Sequence, residues 1–248
     1  MKKILLTSLL LINSYTFADA LNVTQQKDVQ HVIDLFKKRD ISEIAQSVNY
    51  PLKREQPVPD IKNATEMKAR FNQVFDRKLS QQIANSKLSQ WQSMGWRGVM
   101  LDDGIIWLDG NKITAVNYSS LAEQQLKKQL ISGQKQKLYP ALKNFKTPEF
   151  QFKTAKFLVR IDAMSNGTYR YASWAEKQSQ TDKPDLILNN GTLVMDGSGG
   201  NHHYVFKSGN YQYIVYRNLP GTINTPEISL EVSKNSKQIL KQNGQIIK

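Results

Sequence analysis

The sequence predicts an α+β protein in two parts: N-terminal helices packed on a curved antiparallel sheet, forming a cone, followed by an all-β sandwich or barrel module. Three observations predict it. Between Thr24 and Phe75, apolar side chains recur three and four residues apart, the period of a helix buried on one side. From Trp96 the pattern changes to short β-prone runs separated by Asp and Gly. Beyond Phe150, such runs follow one another at even spacing to the C-terminus. The implied division is 1–20, 21–120, 121–149 and 150–248: leader, cone, helical linker and all-β domain.

The leader is read from its composition. Lys2 and Lys3 form a basic start, residues 4–12 an apolar run broken by Thr7 and Ser8, and Ala18-Asp19-Ala20 has the small-x-small form of a cleavage site. This predicts a secretory signal peptide cut after Ala20. The apolar run is too short to cross ~30 Å of hydrocarbon. No later segment approaches that length, so the expectation is a chain without a transmembrane segment, in a bacterial periplasm or secreted medium.

In the second part, residues 24–39 form a helix capped by Thr24, with Val29, Val32, Ile33 and Phe36 on one stripe. A short helix bearing Ile41, Ile44, Ala45 and Val48 ends where Pro51 forces Tyr50 into an extended backbone. Residues 53–62, with two prolines and alternating charges, suit a loop or edge strand. Asn63 and Glu66 stand at capping-box spacing ahead of Met67, Phe71, Val74 and Phe75, and residues 79–84 continue the helical run. Residues 96–101, 105–108 and 113–118 then make a three-strand meander around Asp102-Asp103-Gly104 and Asp109-Gly110-Asn111.

These strings carry a resemblance. Val48-Asn49-Tyr50-Pro51-Leu52, Ile61-Lys62-Asn63-Ala64 opening a helix to Val74-Phe75, and Trp96-Arg97-Gly98-Val99-Met100-Leu101 followed by Asp103-Gly104-Ile105-Ile106-Trp107 resemble the periplasmic branch of the cone-shaped superfamily named after nuclear transport factor two. The resemblance covers about residues 24–120. It implies a conical half-barrel with a pocket at its open end and a small-molecule ligand there, but no activity.

Ser120 and Glu123 have capping-box spacing, and Leu121, Leu126 and Leu130 support a helix ending near Ser132-Gly133. The lysine-rich stretch 134–149, with Pro140 and Pro148, reads as a linker. Hairpins are expected around Ser165-Asn166-Gly167, Asn189-Asn190-Gly191 and Ser208-Gly209-Asn210, and further strands around Asn235-Ser236 and Asn243-Gly244. Tyr169-Arg170-Tyr171-Ala172-Ser173-Trp174 and the run from Gly197 through His202-His203-Tyr204-Val205-Phe206 resemble a β module of bacterial envelope proteins. The architecture is also similar to small periplasmic lysozyme inhibitors, which present Ser-Gly and Arg-Tyr on a loop; Ser165-Asn166-Gly167-Thr168-Tyr169-Arg170 fits that loop only in part.

Charge and composition narrow the chemistry. Lys and Arg number 34 against 21 Asp and Glu, a formal charge of +13, and there is no cysteine. That removes disulfide frameworks, thiolate zinc sites and cysteine nucleophiles. Outside the cytoplasm, such a chain meets an acidic protein or an envelope glycan rather than nucleic acid, although scattered lysines also serve solubility. No cofactor fingerprint occurs, and His202-His203, adjacent on a strand, point to opposite faces and cannot chelate one metal together. Asp196, Ser198 and either histidine form a hydrolytic set only on paper; the turn aspartates Asp102, Asp103 and Asp109, the carboxylates Glu66 and Asp76, and His31 are the other proton-transfer candidates.

The binding residues expected are Trp96 and Trp107 near the mouth of the cone, and Arg170, Tyr204 and Arg217 on an aromatic, basic face of the β module. The functional expectation is a non-enzymatic binding protein of the cell envelope, monomeric or weakly dimeric. Two alternatives stand beside it: a hydrolase or isomerase using a cone pocket, and a lysozyme-inhibitor-like protein.

Overall fold

The computed structural model describes residues 20–197, 200–218 and 225–247. The signal-peptide expectation falls on residues 1–19 and so lies outside the described residues. The chain divides into two compact units: residues up to Leu52 with Lys62–Tyr118, and Lys53–Ile61 with residues from Ser119 onward.

In the first unit the helices are α1 Val23–Lys38, α2 Ile41–Gln46, α3 Ala64–Ala69, α4 Phe71–Val74 and α5 Arg77–Ala84. Asn22, not Thr24, starts α1. Its side chain accepts the Gln25 N–H at 2.9 Å while the Gln25 side chain accepts the Asn22 N–H at 3.0 Å, a reciprocal cap. Asn63 accepts the Glu66 N–H at 2.9 Å and opens α3, while the Glu66 carboxylate accepts the Lys62 N–H at 2.9 Å. The stripe of α1 is buried at Val29, Val32, Ile33, Leu35 and Phe36. Four short strands, β1 Trp91–Ser93, β2 Val99–Leu101, β3 Ile106–Asp109 and β4 Lys112–Val116, pair antiparallel in chain order.

The fold expected from the sequence is corrected here. Strands of three to five residues, the middle two ended by the turns Asp102-Asp103-Gly104 and Asp109-Gly110-Asn111, make a small meander rather than a long curved sheet. The helices α2, α3 and α4 have six, six and four residues. Together these elements do not build a helix-packed cone. A two-sheet sandwich is absent from the second unit as well, where strands form one sheet closed on itself.

That sheet contains β5 Thr147–Thr154, β6 Phe157–Ala163, β7 Tyr169–Ala175, β8 Leu186–Met195, β9 His202–Ser208, β10 Tyr211–Arg217, β11 Ile228–Lys234 and β12 Lys237–Ile247. All neighbours are antiparallel, and pairing of β12 with β5 closes the ring. Eight strands enclose a lumen just wide enough for side chains to fill. Phe152, Val159, Ile161, Tyr171, Leu188, Tyr204, Phe206, Val215, Ile228, Leu230 and Val232 fill it. Outward positions alternate with these and include the cross-strand partners Glu231 and Lys241, paired at 2.7 Å. An apolar lumen with charged outward positions is the reverse of a lipid-facing barrel.

Two expected turns are absent. Asn189-Asn190-Gly191 lies inside β8, and Asn243-Gly244 inside β12. A Cβ at Gly191 would stand 2.2 Å from the Phe206 ring, and one at Gly244 2.7 Å from the Phe152 ring. Both glycines therefore make room for lumen aromatics rather than reverse the chain.

Residues 121–149, expected as a linker, belong to the barrel unit. Helix α6, Leu121–Gln136, is capped by Ser120, whose hydroxyl accepts the Glu123 N–H at 3.1 Å. Arg54 grips the Glu123 carboxylate through Nε at 3.0 Å and Nη2 at 2.7 Å, with both side chains buried. After α6, Leu138, Leu142 and Phe145 pack on Leu158, Ala172 and Trp174, the outward side chains of β6 and β7.

Candidate functional site

Strand alternation sends His202, Tyr204 and Phe206 of β9 toward the lumen and His203 outward. On β10, Val215 faces the lumen, so Arg217, two residues on, does too, and it pairs in register with His202. The starts of β5, β7 and β9 and the end of β10 therefore meet at one end of the barrel.

At this end Tyr204, 2% exposed, is the centre of a ring of contacts. Tyr169 stands edge-on to it at 4.8 Å, Phe150 at 5.5 Å and the His202 ring at 5.4 Å. Its hydroxyl donates to Oε2 of Glu149 at 3.3 Å. A β-bulge explains how Glu149 reaches it. The β5–β6 register shifts between Pro148 and Phe150, leaving Glu149 without a partner. The extra residue breaks the alternation, so the consecutive side chains of Glu149 and Phe150 both approach Tyr204.

Electrostatics follow from burial. Glu149 titrates above the ordinary carboxylate value because it is desolvated; the charges of Asp162 and Glu55 add to the rise, and the Tyr204 hydroxyl and His202 offset part of it. Tyr204 is pushed well above the usual phenol value, first by burial and then by the Glu149 charge, and Tyr169 rises for the same two reasons. His202 Nδ1 lies 2.8 Å from the Gly200 carbonyl oxygen. A carbonyl only accepts, so Nδ1 carries a proton and donates to it. Arg217 is held by Glu227, with Nη2 at 2.9 Å from Oε1 and Nη1 donating to the backbone oxygen at 3.2 Å. This end of the barrel thus brings together half-buried aromatic faces, a carboxyl that titrates above its ordinary value, an imidazole and a guanidinium.

Of the residues singled out from sequence, Tyr204 and Arg217 meet here. Arg170 does not. It is 3% exposed, on the outward face of β7 beneath the segment carrying Leu142 and Phe145, where Nη2 pairs with Asp162 at 2.7 Å and donates to the Leu142 carbonyl at 2.7 Å. Trp96 and Trp107 are in the first unit. Trp96 is 86% exposed with the Arg97 guanidinium 5.7 Å from its ring, and Trp107 is half-buried against Gly104. His203 faces outward and shares its Nδ1 with both oxygens of Asp196 at 2.9 Å. Ser198, the third member of the hydrolytic set, lies outside the described residues. His31 is exposed on α1, and Asp76 caps α5 while accepting the Tyr118 hydroxyl at 2.7 Å. Among the described residues no group of three His, Asp or Glu could hold a metal ion, and no helix is long and apolar enough to cross a membrane.

Sequence reasoning missed Glu149. A carboxylate beside Pro148 at a strand start reads as a loop residue, and nothing in the string marks the bulge.

Comparison with known proteins finds no family model, no curated protein and no solved structure that matches the chain. The resemblances therefore rest on the sequence alone.

Proposed function

We propose that this is a non-enzymatic binding protein of the bacterial cell envelope, and that it holds a glycan at the end of the barrel where Tyr204 lies. The observation that carries the reading is the Tyr204 cluster. Half-exposed Tyr169 and Phe150 supply flat apolar faces for sugar C–H groups. Glu149, Tyr204, the His202 ring and Arg217 supply polar groups of the kind that orient a polyhydroxylated ligand. The basic chain favours an acidic glycan.

The test is a calorimetric titration with soluble amino-sugar oligosaccharides prepared from peptidoglycan. Saturable binding is expected. It should weaken about tenfold or more in Tyr169→Ala, as loss of an aromatic anchor does, and up to about tenfold in Tyr204→Phe, which removes one hydrogen bond. Trp96→Ala should leave it unchanged. No binding, or binding lost only in Trp96→Ala, would refute the reading. Export is checked separately by N-terminal sequencing of the protein recovered from outside the cytoplasm, which should begin at Leu21.

A further inference from the structure

A groove of ≈ 690 Å³ lies wholly within the first unit, among α1, α2, α4 and α5. Its floor is aromatic. Phe75 meets Phe36 edge-on at 5.2 Å and Phe71 at 5.5 Å, and Ile41, 41% exposed, adds apolar surface. Its rim is basic: Lys37, Arg39 and Arg77 line it, and none of the thirteen lining residues is Asp or Glu. The volume falls in the ~300–1,000 Å³ range of sites that take small ligands.

Helix electrostatics explain part of this charge but not all. Lys37 and Arg39 sit at the C-terminal end of α1, where cations are favoured by the carbonyl ends, and Lys37 lies 3.8 Å from Asp34. Arg77 is the opposite case. It is the first residue of α5, whose first turn holds no acid, so its charge opposes the helix dipole. Among the described residues neither Arg39 nor Arg77 makes a salt bridge. Two unpaired guanidiniums over a phenyl floor complement a molecule with an acid at one end and hydrocarbon at the other.

We infer that this groove binds a single-chain amphiphile with an anionic head, its hydrocarbon against Phe36, Phe71 and Phe75 and its head between Arg39 and Arg77. The inference is independent of the glycan reading, because every lining residue belongs to the first unit.

The probe is dodecanoate, titrated below its micellar concentration against the full chain, with dodecyl maltoside as the same tail on a neutral head and acetate as the head alone. Saturable dodecanoate binding is expected, at least tenfold tighter than that of the maltoside, with no competition from millimolar acetate. Arg77→Gln should weaken it severalfold and the Arg39→Gln, Arg77→Gln pair tenfold or more. Both side chains are exposed, so an unchanged melting temperature confirms that these variants fold. Tyr169→Ala, at the barrel end, should bind dodecanoate as wild type does. Equal affinity for the neutral amphiphile, unchanged affinity in the double variant, or no binding of dodecanoate would each overturn the inference.

Discussion

The phenol of Tyr204 and the carboxyl of Glu149 meet across the full width of a closed barrel. They are 55 residues apart in the chain. Their strands, β9 and β5, lie four steps apart whichever way the ring is followed, so the two side chains come from opposite walls. Only a closed sheet places them together, and only a bulge turns Glu149 inward.

Glu149 makes stability depend on pH with a definite sign. Its folded pKa lies above the ordinary value of 4.5 because burial penalises the charged form. The folded state therefore holds the proton more tightly, and the stabilisation is full below the ordinary value and lost as pH rises through the raised folded value. Urea denaturation of wild type and Glu149→Gln across that interval should show a decline in wild type that the variant lacks. The same slope in both would exclude Glu149 as the source.

Arg170 is expected to matter for folding and not for binding. Asp162 is held by Arg160 and Arg170, each at 2.7 Å, and all three side chains are almost fully buried. Removing one guanidinium leaves the carboxylate short of compensation. Arg170→Ala should cost about 3–5 kcal/mol, a fall of roughly 10 °C in melting temperature. Glycan affinity of the folded fraction should be retained. A stable Arg170→Ala protein that no longer binds would place this residue in the site after all.

Gly191 tests the lumen packing. A methyl there meets the buried Phe206 ring at 2.2 Å, and that ring cannot swing away because Tyr171 lies 5.6 Å from it. Gly191→Ala should destabilise the protein by about 1–3 kcal/mol, as overpacked cores do, measured by chemical denaturation. Wild-type stability would mean that residues 189–191 form a turn outside the lumen.

The legible and illegible features differ in range. The stripe of α1 could be read because helix periodicity depends only on neighbours in sequence. Alternation puts Tyr169 and Tyr171 on one face of β7 and Arg170 on the other, so Arg170 does not share the aromatic face expected for it from the sequence. What it could not show is the segment carrying Leu142 and Phe145 that covers that other face, so Arg170 read as exposed. Asn190-Gly191 has the composition of a hairpin turn, yet β8 runs on through it, because the lumen requires space for Phe206. The cone failed, and sandwich and barrel could not be told apart, for a related reason. Strand pairing is set by contacts distant in sequence, and short runs with good turn residues are compatible with several closures.

The most direct measurement is backbone amide NMR of the isotopically labelled protein during titration with peptidoglycan oligosaccharides. Shifts should concentrate at Glu149, Phe150, Tyr169, His202, Tyr204 and Arg217, and grow together along one binding curve. Shifts confined to Trp96 and Trp107, or to the groove around Phe36 and Arg77, with the barrel end silent, would contradict a glycan site at the mouth of the barrel.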